Sequence, residues 1–210
     1  EADVLMKGLV STDKYMRGIL NKECGLLPPK GVLSHVTVFE LPMYHKLLVV
    51  SDVAVIPYPD LSQKTAIVRY LTATAKVLGV ERPKIAAIAP SEQLLASVQS
   101  SVEAAVLAKM ADRGQLGDVV LDGPLALDVA LFEEVARTKR LSSPVAGDAD
   151  CLLMPNLDAA NVFFKSANHL CNASLAAMVA GTKAPCVLTS RGDSAESKLY
   201  SIALAALSAK

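Results

Sequence analysis

Residues 151–170 have the sequence CLLMPNLDAANVFFKSANHL and contain one complete strand-and-helix unit. The first four residues are apolar, which predicts a strand over Cys151–Met154 that is buried on both faces. Pro155 and Asn156 interrupt it, and the residues that follow predict a helix over Asp158–Leu170. A strand followed by a helix is the repeating unit of a parallel sheet that is covered by helices.

The same alternation continues from Leu47 to the last helix and predicts an α/β fold. The other predicted strands are Leu47–Ser51, Lys84–Ala89, Asp118–Leu121, Leu175–Ala180 and Cys186–Thr189. The other predicted helices are Leu61–Leu78, Ser101–Arg113, Ala126–Lys139 and Ser194–Leu207.

The first 24 residues are organised differently. Asp3–Met6 predicts a strand, Thr12–Asn21 predicts a helix, and Pro28, Pro29 and Gly31 form a break, so we place a domain boundary near residue 25. One strand and one helix cannot bury their own faces. We therefore expect residues 1–24 to be the end of a domain whose beginning is missing from this sequence, and which the final strand and helix rejoin.

Composition excludes several classes of protein. Of the 210 residues 52% are hydrophobic, which is enough to build a core. Lys and Arg together number 21, as do Asp and Glu, and only 4% of residues are aromatic, so nucleic acid is not an expected partner. No apolar run approaches the roughly 18 residues of a membrane span. Without a signal-peptide pattern either, the sequence predicts a soluble, cytoplasmic protein.

Metal and common cofactor motifs are missing from the sequence. The four cysteines and three histidines have no metal-ligand spacing, so we predict no metal site. There is no G-x-x-x-x-G-K-[ST] loop, no G-x-G-x-x-G after a strand and no G-x-S-x-G elbow, which argues against a nucleotidase, a Rossmann dehydrogenase and an α/β-hydrolase.

The segment Thr189–Glu196 connects a predicted strand to the last helix. Asp193 and Glu196 have the spacing of a capping box, which predicts that the helix begins just after Asp193. Free amides at a helix N-terminus attract anions, and Arg191 beside them offers a guanidinium that matches phosphate oxygens. The segment is therefore a candidate phosphate or acyl-phosphate site; the alternative is an ordinary turn with a solvated Arg191.

Three further segments place polar residues after predicted strands, where functional groups of parallel sheets gather. Lys7, Ser11 and Thr12 follow the first strand, and Arg17 lies on the second turn of the helix after it. Asp122 follows another strand and is expected to point into the same crevice. Asn161 and Lys165 lie one turn apart on one helix face. The alternatives are helix capping, solvated charge and surface hydrogen bonding.

In this order, six segments resemble the phosphate acetyl/butyryltransferase family over essentially the whole chain. They are ADVLMKGLVSTDKYMR (2–17), LSHVTVFE (33–40), KMADRGQLGD (109–118), DGPLALDVA (122–130), PVAGDADCLLMPNLDAANVFFK (144–165) and LTSRGDSAESKLYSIALA (188–205). The style of the sequence is more similar to the butyryl branch than to the acetyl branch.

The resemblance implies two three-layer α/β/α domains with mostly parallel sheets and an active site in the cleft between them. One domain would comprise residues 1–24 with 186–210 and the other residues 25–185. It also implies a homodimer, no bound cofactor, acyl-CoA and inorganic phosphate as substrates, and an acyl (butyrate or acetate) kinase as functional partner.

By position, the resemblance gives Ser190 the role of steadying the transition state and Arg191 that of binding phosphate, with Arg17 as another substrate arginine. Where acetyl-specific members have an aspartate proposed as the base, this sequence has Ser197, and Glu196 beside it becomes the candidate. The alternatives are an acetyl-specific enzyme, an NAD-dependent decarboxylating dehydrogenase of related fold, and a non-catalytic fragment or binding module. The dehydrogenase would need metal-binding carboxylates and a Lys-Tyr pair, which are not evident.

Overall fold

The computed structural model describes residues 2–189 and 192–209 and confirms the α/β class. The strands in these ranges are β1 (Leu5–Met6), β2 (Ser34–Glu40), β3 (Leu48–Ser51), β4 (Lys84–Ile88), β5 (Val120–Leu125), β6 (Cys151–Leu153), β7 (Ser174–Ala180) and β8 (Cys186–Val187). The helices are α1 (Thr12–Ile19), α2 (Leu61–Val77), α3 (Gln99–Asp112), α4 (Leu127–Leu131), α5 (Glu133–Thr138), α6 (Leu157–His169) and α7 (Ala195–Ser208).

The strands form one sheet in the order β1-β8-β7-β2-β3-β6-β4-β5. Strands β3, β6, β4 and β5 run parallel, as the strand-and-helix rhythm predicts, and β1 is parallel to β8. Strand β2 is antiparallel to both of its neighbours, and β8 meets β7 through the single antiparallel pair Val179–Cys186. The proposed division into residues 1–24 with 186–210 and 25–185 stays a prediction.

The sequence analysis missed β2. Six of its seven residues are buried because the strand lies in the middle of the sheet, yet Ser34, His35 and Thr37 interrupt its apolar run. Strand positions that are buried on both faces are normally apolar throughout. The polar residues on this strand therefore point to a use other than packing.

Helices cover both faces of the sheet and create two large cores, in addition to a smaller one that contains Tyr15 and Ile19 of α1. On one face, Phe39, Leu48 and Leu152 pack with residues of α4, α5 and α6. On the other face, Val36, Ile85 and residues of α2, α3 and α7 form the second core. None of the helices within the described ranges combines the length and apolar character needed to cross a bilayer.

The helix predicted over Ala126–Lys139 is interrupted, forming α4 and α5. Gly147 comes so close to Glu133 that a Cβ on Gly147 would lie 2.5 Å from Glu133 Cα. Its amide donates to Val129 O at 2.8 Å, and this carbonyl would otherwise accept from the Glu133 amide in a continuous helix. Phe132 between the two helices is extended, with φ −123° and ψ 112°.

Candidate active site

A cavity of about 210 Å³ lies between β2, β7 and the loop that follows β8, and it is bordered by α1 and α6. We call it the β8 cavity. The described residues that line it are Thr12, His35, Val53, Ala54, Asn161, Phe164, Lys165, Ala177, Leu188, Thr189 and Asp193. Several of them follow directly on the carboxyl ends of strands, where the sequence pattern predicted functional groups.

Three of the predicted site residues meet at the β8 cavity: Thr12, Asn161 and Lys165. Thr12 is the first residue of α1. Helix α6 begins at Leu157, one residue before the predicted Asp158, because Asn156 Oδ1 accepts the Ala159 amide at 2.9 Å, and this start orients Asn161 and Lys165 on one face. Asn161 Nδ2 donates to Val53 O at 3.5 Å.

Among the described residues that line the cavity, Lys165 carries an ammonium group. Its Nζ lies 5.1 Å from the centroid of the Phe164 ring, within cation–π range. No described carboxylate lies within ion-pair distance of Lys165. An exposed ammonium that is held against a ring, with no described carboxylate beside it, can bind an anion.

The predicted catalytic residues Ser190 and Arg191 lie outside the described residues. Thr189, which precedes them in the chain, and Asp193, which follows them, both line the β8 cavity. Asp193 is not the N-cap of α7, so that prediction was wrong by one residue. The cap is Ser194, whose Oγ accepts the Ser197 amide at 3.0 Å.

The structure does not bring Lys7, Ser11 or Arg17 to this cavity. Lys7 is buried and donates to the carbonyls of Gly8 and Val10 at 3.2 Å each, which fixes the loop before α1. Ser11 is the N-cap of α1. Arg17 is exposed and lies 3.0 Å from an oxygen of Asp13. Their roles in substrate binding stay predictions.

Glu196 and Asp122 also lie away from the β8 cavity. Glu196 is exposed on α7 and accepts a hydrogen bond from the Tyr200 hydroxyl at 2.9 Å, which raises the pKa of Tyr200. Asp122 is on β5, separated from β2 by three strands, or about 19 Å at the usual strand spacing. The expectation that Asp122 points into the same crevice is therefore wrong. Its carboxylate accepts the Gly123 amide at 2.8 Å.

His35 is a cavity residue that the sequence analysis did not single out as a candidate. Its ring is buried between Leu188 O, 3.5 Å from Nε2, and Thr37 Oγ1, 3.5 Å from Nδ1. Burial lowers the pKa of His35, while the charges of Asp52 and Asp193 act to raise it. Because a carbonyl only accepts, Nε2 carries the proton and Nδ1 accepts from Thr37. The sequence signal that could have identified His35 is the interruption of an apolar strand by a histidine.

Asp52 fixes the loop that contributes Val53 and Ala54 to the cavity lining. It is 3% exposed, and its carboxylate accepts the amides of Ala54, Val55 and Ile56 at 2.9–3.0 Å. These bonds hold Val53 and Ala54 against the cavity. Among the described residues, no group of three or more His, Cys, Asp or Glu side chains is placed to hold a metal ion.

The fold and the site define an α/β protein with a polar cavity at strand ends, and comparison with known proteins gives the family. The sequence matches the family described as phosphate acetyl/butaryl transferase over residues 1–206. The chain belongs to this family, and its resemblance to these enzymes is thereby confirmed.

Relatives of both acyl types are similar to the chain. It is 47% identical to the phosphate butyryltransferase of Clostridium acetobutylicum, with 99% of this chain and 68% of the relative covered. It is 41% identical to the phosphate acetyltransferase of Thermotoga maritima, with 99% and 70% covered. The crystal structure of a branched-chain phosphotransacylase from Enterococcus faecalis is 35% identical, with a TM-score of 0.89 over 99% of this chain and 74% of that one.

Proposed function

We propose that this protein exchanges a short acyl group between coenzyme A and inorganic phosphate at the β8 cavity. The proposal is supported by the agreement of two observations. The chain matches an acyltransferase family over residues 1–206, and the β8 cavity gathers Thr12, Asn161 and Lys165 beside the strand end that precedes Ser190 and Arg191.

The electrostatics of the cavity suit a reaction between negatively charged groups. Phosphate carries negative charge, and the thioester carbonyl oxygen gains it in the transition state. The Lys165 ammonium supplies positive charge, and the amino end of α1 at Thr12 adds the partial charge of its free amides. Donors fixed in place before the reaction are usually the largest single contribution to catalysis.

The transfer forms one bond to the acyl carbon and breaks another. A phosphate oxygen attacks the thioester carbonyl carbon, and a carbon–oxygen bond forms as the carbon–sulfur bond breaks. The sulfur leaves as a thiolate and takes up the proton that hydrogen phosphate carried, so the products are an acyl phosphate and free coenzyme A. A thiol with a pKa of about 8.5 is a good leaving group at neutral pH. A strong base is therefore not needed in either direction.

Bringing the two substrates together accounts for much of the remaining rate enhancement. The charged phosphate suits the polar lining residues Lys165 and Thr12. The acyl chain suits the apolar lining residues Val53, Phe164 and Leu188. Catalytic roles for Ser190 in steadying the oxyanion and for Arg191 in holding phosphate complete this arrangement.

Several finer parts of the proposal rest on the relatives. We favour a butyryl substrate because the chain is 47% and 46% identical to two phosphate butyryltransferases, against 41% for an acetyltransferase. A cytoplasmic homodimer that supplies acyl phosphate to an acyl kinase fits the same chemistry. The relatives named for acyl transfer do not favour the alternative of an NAD-dependent decarboxylating dehydrogenase.

Release of thiol from butyryl-CoA tests the proposal. The complete gene product should release free coenzyme A only when phosphate or arsenate is added, at a rate that saturates with either substrate. Omission of the anion is the matched control. Thiol release that is independent of phosphate would indicate a hydrolase, and no release with any short acyl-CoA would refute the proposed function.

A further inference from the structure

The described residues that line the β8 cavity fall into two chemical groups. Those with hydroxyl, amide, imidazole or charged side chains are Thr12, His35, Asn161, Lys165, Thr189 and Asp193. The apolar residues, which we call the apolar wall, are Val53, Ala54, Phe164, Ala177 and Leu188. We infer that the apolar wall holds the acyl chain and that Ala177 limits the chain length. This inference rests on the proposed function.

The apolar wall has the properties of a site for a short hydrocarbon chain. Phe164 is held by an edge-to-face contact with Phe39, with ring centroids 5.7 Å apart. Val53 and Ala54 are held by the carboxylate of Asp52, which binds the loop amides. A wall that cannot retreat discriminates between chains by their length.

Ala177 has the position that sets this length. Among the described lining residues, only Ala54 and Ala177 have a side chain of one carbon, and Ala54 lies on an exposed loop. Ala177 lies within β7, paired with Thr37 of β2, and its amide donates to Ser201 Oγ at 2.9 Å. Its backbone is therefore fixed, and carbons added at position 177 must occupy the cavity.

Valine at this position gives a matched test. Ala177→Val adds two carbon atoms, which is the number by which a butyryl chain exceeds an acetyl chain. Valine also suits a strand, so the fold should tolerate it. The neighbouring Ala176 faces the opposite side of the sheet, where it borders a different groove with Val38 and Leu204. Ala176→Val is therefore the control with the same chemical change.

The experiment compares kcat/KM for acetyl-, propionyl- and butyryl-CoA at saturating phosphate in the complete gene product. We expect Ala177→Val to lower the butyryl-to-acetyl ratio by about ten- to a hundredfold, since one methylene in a pocket is worth about tenfold or more. Ala176→Val should leave the ratio unchanged. An unchanged ratio in a folded Ala177→Val protein would overturn the inference.

A second variant decides the matter if Ala177→Val does not fold. Ala177→Gly removes one carbon and should raise the ratio of hexanoyl- to butyryl-CoA activity. The same ratio as in the unsubstituted protein would overturn the inference. Failure of the proposed function is a separate result, since the unsubstituted protein would then release no thiol from any of these substrates.

Discussion

Charged residues lie at both ends of the parallel strands, and the two groups differ in whether their side chains form ion pairs. Before β3, β4 and β6, five residues form what we call the amino-end network: His45, Lys46, Lys84, Asp148 and Asp150. Asp148 lies 2.7 Å from Lys46 Nζ, 2.6 Å from Lys84 Nζ and 3.0 Å from His45 Nε2. Lys46 also lies 2.7 Å from Asp150. At the β8 cavity, by contrast, Lys165 is paired with no described carboxylate.

The difference separates stabilising charge from charge that is available for chemistry. The amino-end network joins the starts of three strands. Partial burial raises the pKa of Asp148, but hydrogen bonds from Lys46, Lys84 and His45 outweigh it and hold the pKa below its ordinary value. Substitutions in the network should therefore change stability, whereas substitutions at the cavity should change catalysis.

The largest effect is expected at Ser190. Ser190→Ala should lower kcat by about ten- to a thousandfold with little change in either KM, because a donor aimed at the oxyanion acts only in the transition state. Steady-state kinetics with butyryl-CoA and phosphate measure this. Ser62→Ala, an exposed serine on α2, is the control. A raised KM at constant kcat would make Ser190 a binding residue.

Lys165→Met should act on phosphate binding. The variant keeps the packing length but removes the charge, so the KM for phosphate should rise by about tenfold or more, as expected for one charge-assisted hydrogen bond. The melting temperature should stay the same. Lys76→Met, at an exposed lysine on α2, should change neither quantity. A normal phosphate KM in the Lys165 variant would remove this residue from the site.

Smaller effects, on both catalysis and stability, are expected at His35. His35→Leu loses the donor to Leu188 O and should lower kcat several-fold, while His35→Gln restores a donor at the position of Nε2. Because burial lowers the pKa of folded His35 below the unfolded value of about 6.5, its contribution to stability is present above that pH and is lost as the pH falls. His35→Gln should remove this loss. Equal kcat in both variants would exclude a positioning role.

The smallest effect is expected in the amino-end network. Asp148→Asn should lower the free energy of unfolding by about 1 kcal/mol at pH 7, because its side chain is 44% exposed and solvent screens the pairs. The stabilisation should fall progressively as the pH drops below about 4, the ordinary pKa of an aspartate, because the carboxylate of the folded protein keeps its charge to a lower pH. Urea denaturation measures it, and Asp112→Asn, in an exposed pair with Lys109, is the control. A change in kcat would contradict the comparison.

Local sequence was sufficient to predict most of the fold. The apolar runs of β4 and β6 and the alternation of strands with the longer stretches of α2 and α6 predict these elements without tertiary information. Strand β2 was missed because its polar residues are explained only by tertiary contacts: Ser34 hydrogen-bonds Ser51 of β3, and His35 lines the β8 cavity. The break between α4 and α5 depends on Gly147, which is 14 residues away from Glu133 in the chain. Such a contact leaves no local pattern.

Some of the residues that line the β8 cavity were also predicted from local sequence. Thr12 follows β1, whereas Asn161 and Lys165 follow β6, and the structure brings all three to the β8 cavity although four strands separate β1 from β6. Their roles in substrate binding stay predictions. The rule that functional groups gather at strand ends failed for Asp122 because it does not specify the order of strands in the sheet. Asp52 and Ala177 were missed because a buried cap and a small apolar residue carry no sequence signal.

The central claim is that the β8 cavity is the place where phosphate meets the acyl group. A crystal structure of the complete gene product with coenzyme A and phosphate tests it most directly. We predict phosphate within hydrogen-bond distance of Lys165 and Thr12, and the coenzyme A sulfur beside the apolar wall. Phosphate and sulfur bound together elsewhere in the molecule, with the β8 cavity empty, would contradict the account.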